Sequence, residues 1–271
     1  MTAIALTIAG SDSGGAAGIQ ADLKTFSALG VYGASAITAL TAQNTLGVEA
    51  LYPIPADFIL KQIEAVARDL KVSAIKIGML ATSPIIEAVA EGVKSFPGVP
   101  VVLDPVMVAA SGDALLDEEA IGTLRAVLVP RATLITPNLP EAAKLLGGGE
   151  AKDEHEMSAQ GQALKRLGAG AVLIKGGHGE GEKAVDILLD AEGTLRLEAM
   201  RVKTRNTHGT GCALSSAIAA ELAKGGSLRE AVVAAKAYVT AAIAAADDLR
   251  IGKGRGPVHH FHALWPRIAK K

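Results

Sequence analysis

Residues 4–29, IALTIAGSDSGGAAGIQADLKTFSAL, decide the fold. Residues 4–9 form a continuous apolar run that ends at Gly10, the pattern of a strand buried on both faces. Ile19, Leu23, Phe26 and Leu29 then recur at helical spacing. A glycine-rich connection, residues 10–18, joins the two. Strand, glycine turn, helix is the first unit of an α/β protein.

The same alternation continues outward. Short strands are expected at 74–78, 99–104, 132–136 and 171–175, with further extended segments at 34–42 and 46–53. Helical spacing marks 58–70, 84–95, 117–127, 140–146 and 155–167. Two alternating runs within 183–201 predict an antiparallel hairpin at one sheet edge, and Ala-rich helices are expected near 210–224 and 228–248. The fold class is therefore α/β, a mainly parallel sheet with helices on both faces. No linker, repeat or low-complexity tract interrupts it, so residues 1–271 read as one domain. Ligands of such sheets sit beyond the carboxyl ends of the strands. Asp12, Gln43, Met79, Asp104, Asn138 and Lys175 fall there.

Composition excludes several classes. Of 271 residues, 49% are hydrophobic and 20% charged, at a net charge of −1. That apolar fraction rules out disorder as the main state. A sequence pI near 6.6 disfavours a basic nucleic-acid binder. Aromatics make up only 3%, so Ala, Val, Leu and Ile must build the core. One cysteine makes neither an intramolecular disulfide nor a Cys-rich zinc site. Residues 1–10 carry no basic signal-peptide region, and Lys236 interrupts the most apolar helix, so a cytoplasmic protein with no membrane span is expected.

No G-x-x-x-x-G-K-[ST] occurs, and no G-x-G-x-x-G follows the first strand. Two other glycine clusters remain, residues 10–18 and residues 207–212 (THGTGC), the second opening an Ala-rich helix. Backbone N–H groups at a helix N-terminus attract an anion, which suits a phosphoryl group in transfer; an ordinary loop with a Thr cap reads the same way. Asn138-Leu139-Pro140-Glu141 fits a capping box, and on the residues alone the cap leads. The same pair can organise Mg²⁺, which keeps most of its waters and needs few protein ligands. Lys175, before two glycines, can reach phosphates or simply end a strand in solvent. Asp104 in Leu-Asp-Pro is a phosphate-side organiser or a turn initiator. Cys212 is by default a small buried hydrophobe. Its place at a helix N-terminus predicts a lowered thiol pKa and a proton acceptor for a substrate hydroxyl. Gln43 follows an apolar run and is read either as reaching a substrate pocket or as bonding to loop backbone. The run His259-His260-Phe261-His262 fits packing or a subunit contact better than a metal site.

The blocks GIQADLKTFSALGVYG (18–33), TAQNTLGV (41–48), KIGML (76–80), LDPVM (103–107), LITPNLPEA (134–142), LIKGGH (173–178), TRNTHGTGCALSSAIAA (204–220) and GKGRGPVHHFH (252–262) occur in order over nearly the whole chain. Together they resemble the hydroxymethylpyrimidine/phosphomethylpyrimidine kinases of thiamine biosynthesis. The resemblance implies a ribokinase-like fold. It implies ATP- and Mg²⁺-dependent phosphorylation of 4-amino-5-hydroxymethyl-2-methylpyrimidine, then of its monophosphate. By position, Gly209, Thr210, Gly211 and Cys212 would cradle the transferring phosphoryl group, with Cys212 as general base. Asn138 and Glu141 would organise phosphate and Mg²⁺, and Asp104, Lys175 and Lys236 would lie near the nucleotide. Gly10, Asp22, Gln43, Met79 and Val106 would wall the pyrimidine pocket. A homodimer is also implied. At Ala16 the resemblance departs, since glycine is usual there. A vitamin B6 kinase of the same fold and a non-catalytic pyrimidine sensor are the competing readings; the intact Gly-x-Gly-Cys and Asn-x-x-Glu argue against the sensor.

Overall fold

The structure is a computed structural model that describes residues 2–108, 112–113, 115–177 and 181–265. The first apolar run forms β1 (Ile4–Asp12), and the helical spacing after it forms α1 (Gly18–Ala28). Next come β2 (Tyr32–Gln43), β3 (Val48–Pro53), α2 (Ala56–Asp69), β4 (Ala74–Ile77), α3 (Ser83–Val93) and β5 (Val101–Leu103). Then follow α4 (Glu118–Thr123), β6 (Leu134–Ile135), α5 (Leu139–Leu146), α6 (Glu154–Lys165), β7 (Val172–Lys175), β8 (Lys183–Asp190), β9 (Gly193–Met200), α7 (Thr210–Ala223) and α8 (Leu228–Ala244).

All nine strands join one sheet in the order β3-β2-β1-β4-β5-β6-β7-β8-β9. The six from β2 to β7 run parallel, and β3, β8 and β9 add antiparallel edges. The β8–β9 hairpin is the one the alternation at 183–201 predicts. The β2–β3 hairpin had no such signal beyond two extended segments. Its turn closes through Asn44, whose N–H reaches Gly47 O at 3.1 Å and whose Oδ1 accepts from Leu46 N at 2.8 Å. The helix expected at 117–127 stops at Thr123, then a π turn (Leu124–Leu128) and a 3₁₀ turn (Val129–Arg131) follow. Pro130 has no N–H to continue a helix.

Alternation along the strands separates two cores. Leu6, Ile8, Ile75, Ile77 and Leu103 are buried on the face covered by α2, α3, α5 and α6. Each such side chain contributes about 1.5–3 kcal/mol. Ala5, Ala74, Val102 and Leu173 face the other way, against α1, α7 and α8. That second core is Ala-rich, because α7 is buried along most of its length and small residues let it lie close to the sheet. Thr7 and Lys76 share the parity of Ala5 and Ala74, so β1 and β4 point them into this core.

Candidate active site

The first glycine loop is organised by Asp12 at the end of β1. Its Oδ1 accepts from Gly14 N at 2.8 Å, and its Oδ2 accepts from Ala16 N and Ala17 N at 3.0 and 2.8 Å. His208 Nε2 lies 3.3 Å from the same Oδ2. Burial opposes ionisation, but the His208 contact and the backbone N–H bonds outweigh it and hold the Asp12 carboxyl below its usual range. Ala16 joins this ring through its backbone, and its φ lies outside the left-handed region, so a methyl side chain fits where glycine is usual.

The second glycine loop packs directly on the first. Gly209 caps α7 with φ +79°, and a Cβ there would stand 1.8 Å from Ala16 O. Only glycine meets both demands. No side chain caps α7. The Thr210 N–H donates to Thr207 O at 3.3 Å, while the first-turn N–H groups of Gly211 and Cys212 lack intrahelical acceptors and border the cavity.

Cys212 departs from expectation in charge state. The helix N-terminus predicts a lowered thiol pKa; instead burial, with the nearby Asp22 and Asp104 carboxylates, pushes it up to about 11. Lys76 and the Gly18 N–H act in the opposite direction and are outweighed.

Asp22 is the second correction. Expected to wall the pocket, it is fully buried behind it and does not line the cavity. Its oxygens are taken by Thr7 Oγ1 at 2.6 Å, Ser216 Oγ at 2.7 Å and Lys76 Nζ at 2.9 and 2.8 Å. The cavity wall at this point is Lys76. The reason is geometric: Asp22 sits on the sheet-facing side of α1 with Ile19 and Phe26, so it points at β1 and β4 rather than at the strand ends.

Past β4, four groups converge. Asp104 Oδ1 accepts from Lys175 Nζ at 2.8 Å and from Thr136 Oγ1 at 3.2 Å, and its Oδ2 accepts from Ser215 Oγ at 3.2 Å. Lys175, with Lys76, keeps Asp104 ionised against its burial, and Asp104 in turn holds Lys175 protonated. Asn138 and Glu141 form the expected capping box: Asn138 Oδ1 accepts from Glu141 N at 2.9 Å, and Glu141 Oε2 accepts from Asn138 N at 2.8 Å. Yet Glu141 also lines the cavity, 3.8 Å from Lys175. Burial, reinforced by Asp104, pushes its carboxyl up to about 7 despite Lys175. Farther along the edge, Lys236 Nζ donates to Asp186 Oδ2 at 2.7 Å and to Ala184 O at 3.2 Å.

One cavity of about 840 Å³ spans these groups. It follows the carboxyl edge of the parallel strands, from Gly10, Gln43, Met79 and Val106, past Gly209–Cys212 and Asp104, to Asp186, Met200 and Lys236 beside β8 and β9. Sequence reasoning missed His208, Lys76, Asp186 and Thr41 as cavity residues. His208 was visible only as a neighbour of Gly209, and a strand lysine at 76 carries no local signal for burial. His178 lies outside the described residues. His259 and His260 are buried; His259 meets the Trp265 ring edge-on at 5.5 Å, and His262 lies 5.3 Å from Tyr238.

Comparison with known proteins bears on this cavity. Residues 12–259 match the family model described as phosphomethylpyrimidine kinase. The hydroxymethylpyrimidine/phosphomethylpyrimidine kinase of Rhizobium meliloti (strain 1021) is 60% identical over 265 residues, covering 98% of this chain and 99% of that relative. The ADP complex of Bacillus subtilis pyridoxal kinase superposes with a TM-score of 0.89 at 42% identity, covering 97% of this chain and 99% of that one. Staphylococcus aureus pyridoxal kinase, solved with AMP-PCP and pyridoxal, gives 0.88 at 35% identity, covering 97% and 94%. These are ribokinase-like kinases, and this chain shares their fold. Because the family match runs from Asp12 through Gln43, Asp104, Glu141 and Lys175 to the N-terminus of α7 and beyond, the chain belongs to the phosphomethylpyrimidine kinase family.

Proposed function

We propose that this chain phosphorylates the hydroxymethyl group of 4-amino-5-hydroxymethyl-2-methylpyrimidine with ATP, then phosphorylates the monophosphate to the diphosphate, for thiamine biosynthesis. One observation carries this reading: a single cavity runs from Gln43 to Lys236 with the uncapped N-terminus of α7 in its middle. Acceptor and nucleotide can lie side by side there, their reacting atoms over Gly209–Cys212.

Gly10, Gln43, Met79 and Val106 hold the pyrimidine. The N–H groups of Gly211 and Cys212 face the transferring phosphoryl group and stabilise its charge, which is where phosphoryl-transfer catalysis gains most. Lys175, positioned by Asp104, meets phosphate oxygens; Asn138 lies beside it, and Lys236 approaches the nucleotide. In the first step the new O–P bond forms at the hydroxymethyl oxygen while the bond from that phosphorus to the departing ADP oxygen breaks, and the hydroxyl proton passes to the thiolate form of Cys212. In the second step the acceptor phosphate is already ionised and needs no base.

The donor set fits Mg²⁺. Glu141 is buried with its carboxyl raised to about 7, while Lys175 is committed to Asp104 at 2.8 Å. A second positive charge relieves that carboxylate, and one carboxylate plus phosphate oxygens is a usual magnesium environment. When bound, the ion neutralises charge on the phosphates. The chain acts as one kinase domain over residues 1–271, as a cytoplasmic homodimer. Among the described residues no helix is long and apolar enough to cross a membrane.

A second reading, a vitamin B6 kinase, is favoured by the close superposition on two pyridoxal kinases. A substrate panel with ATP, scored by product mass, separates the two. Mono- and diphosphate of the pyrimidine are expected; pyridoxal phosphate alone promotes the second reading.

A further inference from the structure

Two groups meet at the Gln43 amide, and counting their hydrogens fixes its direction. The amide is placed with Nε2 3.2 Å from His208 Nε2, which is itself 3.3 Å from Asp12 Oδ2, and the hydrogen count reverses that placement. The other end, placed as Oε1, lies 3.1 Å from Thr41 Oγ1. Asp12 is an ionised carboxylate bonded to Gly14, Ala16 and Ala17 N–H groups, so it has no hydrogen to give. Its contact with the ring therefore requires a hydrogen on Nε2. A nitrogen that carries this hydrogen cannot also accept one from an amide NH₂. The amide end facing His208 is therefore the oxygen.

Thr41 gives the same answer independently. Its hydroxyl has one hydrogen, donated to Ser11 O at 2.8 Å. Toward Gln43 it can only accept, so the amide end facing it is the nitrogen. Amide oxygen and nitrogen are nearly identical in shape, and their hydrogen bonds decide between them. The other ring nitrogen, His208 Nδ1, is buried with no partner among the described residues. As a bare acceptor it is tolerable; as a buried N–H without an acceptor it is not.

We infer that His208, held in its Nε2–H form by Asp12, is a positioning residue that sets the polarity of the Gln43 amide and so decides which ring edge the cavity accepts. This rests on the function proposed above. With these bonds made, Gln43 keeps one oxygen lone pair and one N–H for a ligand. An edge with an amino group beside a ring nitrogen matches that pair. The pyridoxal ring offers a phenolic oxygen instead. Without His208 the amide can turn over, and the match is no longer imposed.

The first test needs no substrate. In ligand-free protein labelled with ¹⁵N-histidine, long-range ¹H–¹⁵N correlation reads each ring's tautomer, with His208 assigned from the spectrum of His208→Gln. An Nε2–H ring is expected, and an Nδ1–H ring overturns the inference whatever the chain phosphorylates. The second test is the ratio of kcat/KM for the hydroxymethylpyrimidine over pyridoxal. His208→Leu is expected to lower this ratio by about tenfold or more. His208→Gln, whose amide N–H can stand where Nε2–H stood, is expected to restore most of it. An unchanged ratio in His208→Leu, with kcat reduced alike for both rings, means the histidine merely shapes the loop and overturns the inference. A wild type without preference for the pyrimidine, alongside an intact Nε2–H ring, overturns the functional reading instead.

Discussion

Lys76 Nζ sits 2.9 and 2.8 Å from the two oxygens of Asp22, and neither side chain reaches solvent. Burial works against the lysine's charge, but Asp22, with Cys212 and Asp104, overcomes it and raises the pKa. A buried pair of this kind is costly to break from one side, because the remaining charge is left unpaired. Lys76→Met is expected to lose about 3–5 kcal/mol of stability. Adding Asp22→Asn should return much of that loss. Urea unfolding of the two single variants and the double variant measures the coupling, and simple additivity would show that the pair is not a unit.

Glu141 makes opposite predictions for stability and for cation binding. Its carboxyl is raised from 4.5 to about 7, so the folded chain holds this proton more tightly than the unfolded one. Its contribution to stability is therefore lost as pH rises from about 4.5 to about 7. Glutamine can still accept from Asn138 N, so the cap survives in Glu141→Gln. That variant should gain stability relative to wild type between pH 5 and pH 8 in thermal melts. Its Mg²⁺-dependent turnover should fall sharply. In the wild type, protons compete with the cation, so apparent Mg²⁺ affinity should weaken as pH drops below about 7, and Glu141→Gln should lose this dependence. A lowered melting temperature with unchanged Mg²⁺ kinetics would leave Glu141 as a cap only.

Cys212 should reveal itself through the difference between the two phosphorylations. With its thiol at about 11, the thiolate is scarce at neutral pH and grows with every step toward alkaline pH. First-step kcat/KM should therefore climb with pH across the neutral and mildly alkaline range. Cys212→Ala should flatten that rise and lower first-step kcat by roughly 10²–10⁴-fold. The second step should change much less, since its acceptor is already charged. Equal losses in both steps would assign the cysteine to packing.

What the sequence makes legible follows local periodicity. The run at residues 4–9, the helical spacing after it and the alternation at 183–201 each depend on near neighbours, and each element forms where expected. The Asn138–Glu141 box is equally local. Asp22 and Lys76 are not: their partnership joins α1 to β4 across the sheet, and only the strand order brings them together. Cys212 shows the same limit in electrostatics. A helix N-terminus can be read from Gly209-Thr210-Gly211, but the burial that reverses its effect on the thiol comes with β1, β4 and α1 packed against α7.

Gln43 is the residue proposed to separate the two kinase readings. Its amide lines the cavity at the end of β2, between Thr41 and His208. An amide gives a donor and an acceptor side by side, the complement of an amino group next to a ring nitrogen, as in the pairing of glutamine with adenine. The wild type is therefore expected to prefer the hydroxymethylpyrimidine over pyridoxal in kcat/KM. Gln43→Leu keeps a similar volume but leaves the amino group without an acceptor and the ring nitrogen without a donor. Unpaired polar groups in a closed site cost more than a lost contact. Most of the preference should disappear, through pyrimidine kcat/KM rather than through a gain on pyridoxal. Gln43→Glu is the sharper variant: it still accepts from the amino group and from His208 Nε2–H, but offers the ring nitrogen only a second acceptor. It should fold like wild type and retain part of the preference at most. Wild-type preference preserved in both variants would move ring choice away from this residue, to the backbone at Gly10 and Val106.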